Sequence, residues 1–539
     1  MQLKKNSSER KLRGAYYTPY EMAKIMVSLI AKRSFSSVLE PSCGNGVFVD
    51  CLREHEISNN AHLTAVEIDP IESEKVRAKY ENDSHIKVHC GDFFDFYGDN
   101  KNTKYDLIIG NPPYIRYQYL TKKQREIQSD ILTSNGMKSN KLINAWVAFL
   151  IACVHMLDKN GTIAFVIPSE ILQIAYAEDL RDYLTTHLDT ISLVAFRQSV
   201  FEGIEQEILV LLGEKGSENR GIRFVEVENL KEFSELRLED YKLQEAPRGK
   251  DKWIKYFIND DMDILDSIKN DDRFAPFSDY ALINVGITTG NNKYFSIDEE
   301  TAREYDLANV TLPLIGRSSH ACGIFFTEED WIRNIKSGKR AMLLHFPEAP
   351  IEEYPKAHIK YIQHGEENSE NTGYKCSIRE RWYIVPSVWI PDAFFLRRSD
   401  RYPKFILNCC NAVSTDTLNR IKFRENILPQ DVLLSYYNSI TFAFTEACGR
   451  SYGGGVLELL PSETSKIMLP KILGTVDNAL KKELLSYVDH AVRSNEDIEA
   501  VLDVVDKRLL VETLGVSEEL CRQCREIWRK LQSRRLPRH

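Results

Sequence analysis

The sequence predicts an α/β fold: a seven-stranded, mostly parallel sheet within residues 1–245, then an irregular α+β region over 246–470 and a small C-terminal helical region over 471–539. Three observations carry this expectation. Short β-branched runs alternate with helical stretches from about residue 20 to 215, the pattern of successive βαβ units. The alternation stops at a polar break, Gly213 to Asn219, and a charge-rich stretch from Glu226 to Asp251 follows, which puts a domain boundary near residues 245–275. Beyond Ile472 apolar residues return at three- and four-residue spacing, as in Leu480, Leu484, Leu485 and Val488.

Taken in order, the expected strands are Ser37 to Glu40, Leu63 to Ile68, Ile86 to Cys90, Asp106 to Ile109, Thr162 to Ile167, Ile191 to Phe196 and Ile208 to Leu212. The last two, joined by a short connection, read as an antiparallel pair closing the sheet. The longest nearly apolar run, Ala145 to Leu157, falls well short of the ~20 residues that cross a bilayer and reads as a buried core helix. From Phe274 to Pro470 there is no βα alternation, only loops punctuated by Gly, Pro and aromatic residues, such as Gly453-Gly454-Gly455.

At 539 residues, with 43% hydrophobic and 28% charged residues, the chain is expected to fold as more than one domain, and collagen-like and disordered classes are excluded. Its 11 cysteines are irregularly spaced and odd in number, which speaks against a disulfide framework and for a reducing cytoplasm. The single CxxC, Cys521 with Cys524, lacks a second ligand pair, so no metal is expected. Basic residues near the N-terminus are not followed by an apolar stretch, so neither secretion nor membrane insertion is expected. The net charge of −9 means that nucleic-acid binding would rest on local clusters of Lys and Arg.

The first strand ends in Glu40-Pro41-Ser42-Cys43-Gly44-Asn45-Gly46, a glycine turn where a strand hands over to a helix and backbone amides can approach a ligand closely. The second ends in Glu67-Ile68-Asp69, about 20 residues on, where Rossmann-like folds place the carboxylate that accepts ribose hydroxyls. The third ends in Asp92-Phe93, a carboxylate beside an aromatic ring. All three ends lie on one side of a parallel sheet. Val49 replaces the third glycine of the dinucleotide fingerprint, which fits a nucleoside cofactor without a diphosphate, S-adenosylmethionine. Each element alone is more often a tight turn or a capping acid; their order is what carries the reading.

The fourth strand runs into Asn111-Pro112-Pro113-Tyr114. Two prolines fix φ and remove two backbone donors, so the turn is stiff and its carbonyls stay out of a helix. Asn111 through its side-chain oxygen and Pro112 through its carbonyl can each accept one N–H of an exocyclic amino group. Drawing that nitrogen toward tetrahedral geometry makes it nucleophilic toward a methyl sulfonium, and Tyr114 offers a ring to stack on the base.

These motifs together resemble the gamma class of DNA adenine-N6 methyltransferases of the TaqI-like kind, over roughly residues 12–215. Arg13-Gly14-Ala15-Tyr16-Tyr17-Thr18-Pro19 matches the motif that in that class precedes the first strand. The resemblance implies that Tyr17, Thr18, Glu40, Ser42, Gly44, Gly46, Glu67, Ile68, Asp92, Phe93 and Asn111 line an S-adenosylmethionine site, with Glu67 on the ribose and Asp92 on the adenine amino group. It implies that Asn111, Pro112 and Tyr114 hold a target adenine extruded from double-stranded DNA, with Phe201 contacting the base opposite Tyr114. Ribosomal RNA guanine-N2 and protein glutamine-N5 methyltransferases share the Asn-Pro-Pro-Tyr loop but need little beyond a catalytic domain, and a catalytically inactive DNA-binding module would retain the fold.

The rest of the chain suits a target recognition domain. The segment from Val285 to Arg317 resembles the specificity domain of such methylases. Basic and aromatic residues interleave around Lys375, Arg379 and Arg381, and around Arg397, Arg398 and Arg401, as phosphate and base-edge contacts require, and Arg450 precedes a glycine loop. The C-terminal cluster Arg522, Arg525, Arg529, Lys530, Arg534, Arg535 and Arg538 reads either as a phosphate-contacting helix or as a frayed basic end. Few residues precede the first motif, so the expectation is a standalone bacterial or archaeal methylase, working beside a separate cognate restriction endonuclease or as an orphan epigenetic enzyme.

Overall fold

Alternation within single strands explains the first half of the molecule. In the strand Tyr105–Gly110, Leu107 and Ile109 are buried in one apolar cluster and Ile108 in another, so both faces are covered and the strand reads as a continuous apolar run. A computed structural model describes residues 17–31, 33–55, 61–139, 143–172, 177–198, 200–201, 207–245, 253, 259–452 and 455–536. The chain forms two compact units, one reaching Phe257 and the other beginning at Ile258.

The first unit is built on β1 (Ser37–Glu40), β2 (His62–Glu67), β3 (Ile86–Cys90), β4 (Tyr105–Gly110), β5 (Leu157–Pro168), β6 (Thr190–Phe196), β7 (Ile208–Glu214) and β8 (Gly221–Val227). Their order across the sheet is β3-β2-β1-β4-β5-β7-β6-β8. The sheet is parallel from β3 to β5, whereas β7 runs antiparallel between β5 and β6. This corrects the seven-stranded expectation: β8 pairs parallel with β6, so β7 is an interior strand and β8 is the edge. The eighth strand is hidden in the sequence because a charge interrupts each of its faces: Arg223 shares a side with Val225 and Val227, and Glu226 shares the other with Ile222 and Phe224. Ile222, Val225 and Val227 are buried, while Arg223 and Glu226 continue the charged surroundings.

Helix α1 (Tyr20–Ile30) and helix α2 (Val47–Glu54) cover one face of the sheet through Met22, Met26, Phe48 and Leu52. Helix α3 (Pro70–Lys79) follows β2, and α4 (Phe93–Asn100) follows β3. After β4 come α5 (Lys122–Ser134) and α6 (Ala145–Met156), with α7 (Glu178–His187) between β5 and β6. Helix α6 is buried almost all round, which accounts for the apolar run seen in the sequence. No described helix is long and apolar enough to cross a membrane.

The second unit contains a five-stranded sheet ordered Ala281–Val285, Leu418–Phe423, Ala393–Leu396, Phe405–Asn408, Phe325–Phe326, together with smaller sheets. The C-terminal helices Asn478–Arg493, Ile498–Val505 and Glu518–Arg535 do not form the separate region expected at 471–539. Leu484, Val488, Leu502 and Trp528 lie in one apolar core with Phe277, Phe395, Phe405 and Phe442. Trp528 meets the Phe442 ring edge-on at 5.4 Å. Amphipathic spacing identifies the helices but not the surface they cover. Cys521 and Cys524 are buried in the same core, where burial raises both thiols.

Candidate active site

The C-terminal ends of β1, β2, β3 and β4 surround one cavity of about 380 Å³. Glycine is required at two places in the turn after β1. Gly44 has φ +52°, and a Cβ there would come within 2.9 Å of the Tyr17 ring; Gly46, φ +80°, is the left-handed residue from which α2 starts. Glu67 fixes this turn from the end of β2: its carboxylate accepts from the amides of Gly44 at 2.7 Å and Asp69 at 2.8 Å. Asp69 and Asp92 are the N-caps of α3 and α4, accepting from Ile71 and Phe94 at 2.9 and 2.8 Å. The Phe93 ring, beside Asp92, stacks at 4.6 Å on Phe149 of α6.

The turn after β4 is anchored from two sides. The Asn111 amide nitrogen donates to Thr18 Oγ1 at 3.2 Å, which fixes the orientation of its side chain, and the Ser42 hydroxyl donates to the Asn111 carbonyl at 3.1 Å. Tyr114 is half-buried and its hydroxyl donates to the Val166 carbonyl of β5 at 3.2 Å.

The wall is rich in buried and half-buried carboxyl groups. Glu40 is 1% exposed, and neither carboxylate oxygen makes a hydrogen bond of good geometry. Burial, and then the nearby Glu67 and Asp50 charges, push its carboxyl well above the usual range, with only the Val49 amide acting the other way. Burial also raises Glu67, against the two amides it accepts from. Buried carboxylates at one cavity wall fit a cationic ligand, and the acceptors and ring at the other strand ends fit a nucleoside.

Tyr17, Thr18, Glu40, Ser42, Gly44, Glu67, Ile68, Asp92, Phe93 and Asn111 all line this cavity. Gly46, Pro112 and Tyr114 are not among its lining residues. Gly46 shapes the turn, Pro112 is buried, and the Tyr114 ring packs against the apolar clusters on both sides. Phe201 is 6% exposed and belongs to the same cluster as the one Tyr114 borders. Arg13 to Tyr16 lie outside the described residues. Sequence reasoning missed the wall formed by Ile115, Tyr119, Leu120, Gln124 and Phe149. Phe149 was hidden in the apolar run of α6, but Thr121 and Gln124 carry a readable capping-box signal.

In the second unit, Lys375 and Arg401 are exposed, with Lys375 Nζ 5.9 Å from the Tyr374 ring. Arg379 donates to the Thr288 carbonyl at 3.0 Å and Arg381 to that of Ala349 at 2.9 Å. Arg397 and Arg398 share the buried Glu458 carboxylate at 3.1 and 2.8 Å, and the largely buried Arg450 pairs with Glu463 at 2.6 Å. Arg397 and Arg450 thus hold the fold. The phosphate-contacting reading of the C-terminal cluster is also corrected. Arg525 and Arg535 are buried on Asp506 and Glu446, Arg529 pairs with Glu499, and Lys530 with Asp261. Net charge along a helix does not reveal acidic partners supplied by other elements.

A doubly wound sheet whose strand ends gather a glycine turn, carboxyl groups and a stiff proline turn around one cavity defines an α/β domain with its site at the strand ends. The comparisons narrow the class. A family model described as "Eco57I restriction-modification methylase" matches residues 20–201, and one for the "Type II methyltransferase M.Eco57I, C-terminal domain" matches residues 250–510. The chain belongs to this Eco57I-like family of type II restriction-modification methyltransferases. It is 26% identical to the type II methyltransferase M.AccI of Acinetobacter calcoaceticus over 527 residues, covering 93% of each chain. It is 30% identical to M.HincII of Haemophilus influenzae over 253 residues, 46% of this chain and 45% of that one. With M.HindII of Haemophilus influenzae the figures are 28%, 55% and 57%, so the chain spans about half the length of these two relatives. Among solved structures, the type IIL restriction-modification enzyme MmeI in complex with DNA superposes with a TM-score of 0.53 at 13% identity, over 98% of this chain and 77% of that one. The DrdV–DNA complex gives 0.51 at 13% identity, over 90% and 58%. Both show likeness of fold alone.

Proposed function

We propose that the chain transfers a methyl group from S-adenosylmethionine to the N6 amino group of an adenine extruded from double-stranded DNA, at a fixed sequence, as a gamma-class modification methylase. The observation that carries this is the Asn111-Pro112-Pro113-Tyr114 turn, tied to Thr18 and Ser42 at the rim of a carboxyl-lined, nucleoside-sized cavity.

In this reading Glu67 accepts from the ribose, Asp92 accepts from the adenine amino group, and the buried Glu40 pairs with the ammonium of the methionine moiety. When bound, the cofactor supplies an electrophilic methyl on a sulfonium. Asn111 Oδ1 and the Pro112 carbonyl accept the two N–H groups of the target amine and draw its lone pair out of conjugation. Tyr114 stacks on the base, and Phe201 closes the opposite side, offsetting an unstacking cost of a few kcal/mol. The second unit reads the sequence, with Lys375, Arg379, Arg381, Arg398 and Arg401 as candidate contacts. No metal enters this scheme. The setting is the cytoplasm of a cell in which a separate cognate endonuclease, or none, completes the system.

Methylation-sensitive long-read sequencing of DNA from cells expressing the chain tests this. N6-methyladenine in one fixed context is expected; label on ribosomal RNA or on protein glutamine, with no DNA mark, overturns it.

Glu40 gives a second measurement. Replacement by Gln is expected to weaken S-adenosylmethionine binding on the order of 10- to 100-fold by calorimetry. The same substitution stabilises the ligand-free protein. Glu40's carboxyl is raised in the folded state, so the wild type loses stability as pH climbs above the unfolded value of about 4.5. The advantage of Glu40→Gln in thermal midpoint therefore grows with pH across that window and vanishes below it.

A further inference from the structure

We infer that Gln124 is a positioning residue that locks the cofactor-base carboxylate to the segment following the catalytic turn. The inference rests on the cofactor reading of the cavity.

Residues 115–124 leave the Asn111–Tyr114 turn and wall the cavity through Ile115, Tyr119, Leu120 and Gln124. The segment is organised at its far end by a capping box. Thr121 Oγ1 accepts from the Gln124 amide at 3.2 Å, and Gln124 Oε1 accepts from the Thr121 amide at 2.9 Å and from its hydroxyl at 3.1 Å. Arg125 then stitches the start of α5 back onto the segment, donating to the carbonyls of Tyr117 at 3.1 Å and Gln118 at 2.8 Å.

A capping box needs only the Gln124 side-chain oxygen, and glutamate serves at that position as well as glutamine. The amide nitrogen has a different use. Gln124 Nε2 donates to Asp92 Oδ2 at 2.6 Å, while Asp92 Oδ1 accepts from the Phe94 amide at 2.8 Å. Each carboxylate oxygen is thus held by one donor, and a carboxylate offers about four lone-pair directions. The plane of Asp92 is fixed and acceptor capacity remains for an exocyclic amine. Since α5 begins at the end of the segment that leaves the catalytic turn, one amide joins the group that reads the cofactor base to the wall leading back to the target-base turn.

Gln124→Glu separates this role from capping, because it keeps the box and replaces the donor by a second carboxylate facing Asp92. The probes are S-adenosylhomocysteine and its analogue lacking the adenine amino group. At pH 8 the variant is expected to bind S-adenosylhomocysteine on the order of 10- to 100-fold more weakly, with little change for the analogue. Lys123→Ala, which breaks the 2.7 Å tie from α5 to Asp95 of α4 without touching Asp92, is expected to leave both affinities unchanged. If the added charge unfolds the protein, Gln124→Met, which donates nothing, is expected to give the same ligand-selective loss. Wild-type affinity in Gln124→Glu, or equal losses for both probes, overturns the inference while leaving the cavity's assignment standing. A wild-type chain that binds neither probe overturns that assignment, and this inference with it.

Discussion

Asn111→Ala is expected to lower the single-turnover rate of methyl transfer by at least about 10²- to 10³-fold, the range seen when one oriented transition-state group is removed. The reason lies in how the turn is held. The Ser42 hydroxyl bonds to the Asn111 main-chain carbonyl, so that anchor survives the substitution; only the side-chain bond to Thr18 and the acceptor oxygen are lost. The fold, and affinity for S-adenosylmethionine within a few-fold, are therefore expected to persist, and calorimetry alongside the rate measurement checks both. Full turnover by the variant would remove Asn111 from the chemistry, and a parallel collapse of cofactor affinity would recast it as a wall of the cavity. The loss falls on the chemical step because what Asn111 offers the target amine is not required by the cofactor.

Legibility in the sequence follows how locally each feature is determined. Strands β1 to β7 could be read from β-branched runs bounded by turn residues, although β5 begins at Leu157, ahead of the expected Thr162, and the carboxylates Glu40, Glu67 and Asp92 could be placed together because parallel strands end on one side. Glu40 illustrates what could not be read: the burial that raises its carboxyl is a property of the packed interior. β8 failed to register because an edge strand with Arg223 on one face and Glu226 on the other looks like the charged stretch around it. The basic residues misled for the converse reason. Arg397, Arg450 and Arg525 are cations whose acids, Glu458, Glu463 and Asp506, lie 61, 13 and 19 positions away and meet them only after folding. A sequence reveals a charge but not whether it is already neutralised, so interleaved arginines are weaker evidence for a phosphate surface than a proline turn is for a catalytic edge.

The same distinction sets the largest stability effect expected in the second unit. Arg535, near the end of the last described helix, and Glu446 have side chains that are each 2% exposed and form a two-point ion pair at 2.6 and 3.0 Å. The guanidinium also donates to the carbonyls of Arg401 at 3.0 Å and Gly455 at 2.6 Å. Arg535→Ala leaves a buried carboxylate with its main counter-charge gone, and the second unit is expected to lose about 3–5 kcal/mol, measured by urea unfolding followed through tryptophan fluorescence. The pH dependence gives the sign. Burial already raises Glu446 above 4.5 while Arg535 pulls it down, so removing the arginine lifts the folded-state value further. Stability of the variant is then greatest in acid and declines as pH rises through the widened window, so its deficit relative to wild type grows with pH. Pairing Arg535→Met with Glu446→Leu should recover most of the loss, since two apolar side chains leave no charge uncompensated. A neutral Arg535→Ala would mean that the terminal helix is an appendage, as its basic composition first suggests. A large loss, repaired by the double substitution, would establish that helix as a structural part of the second unit, closing the core around Phe442 and Trp528.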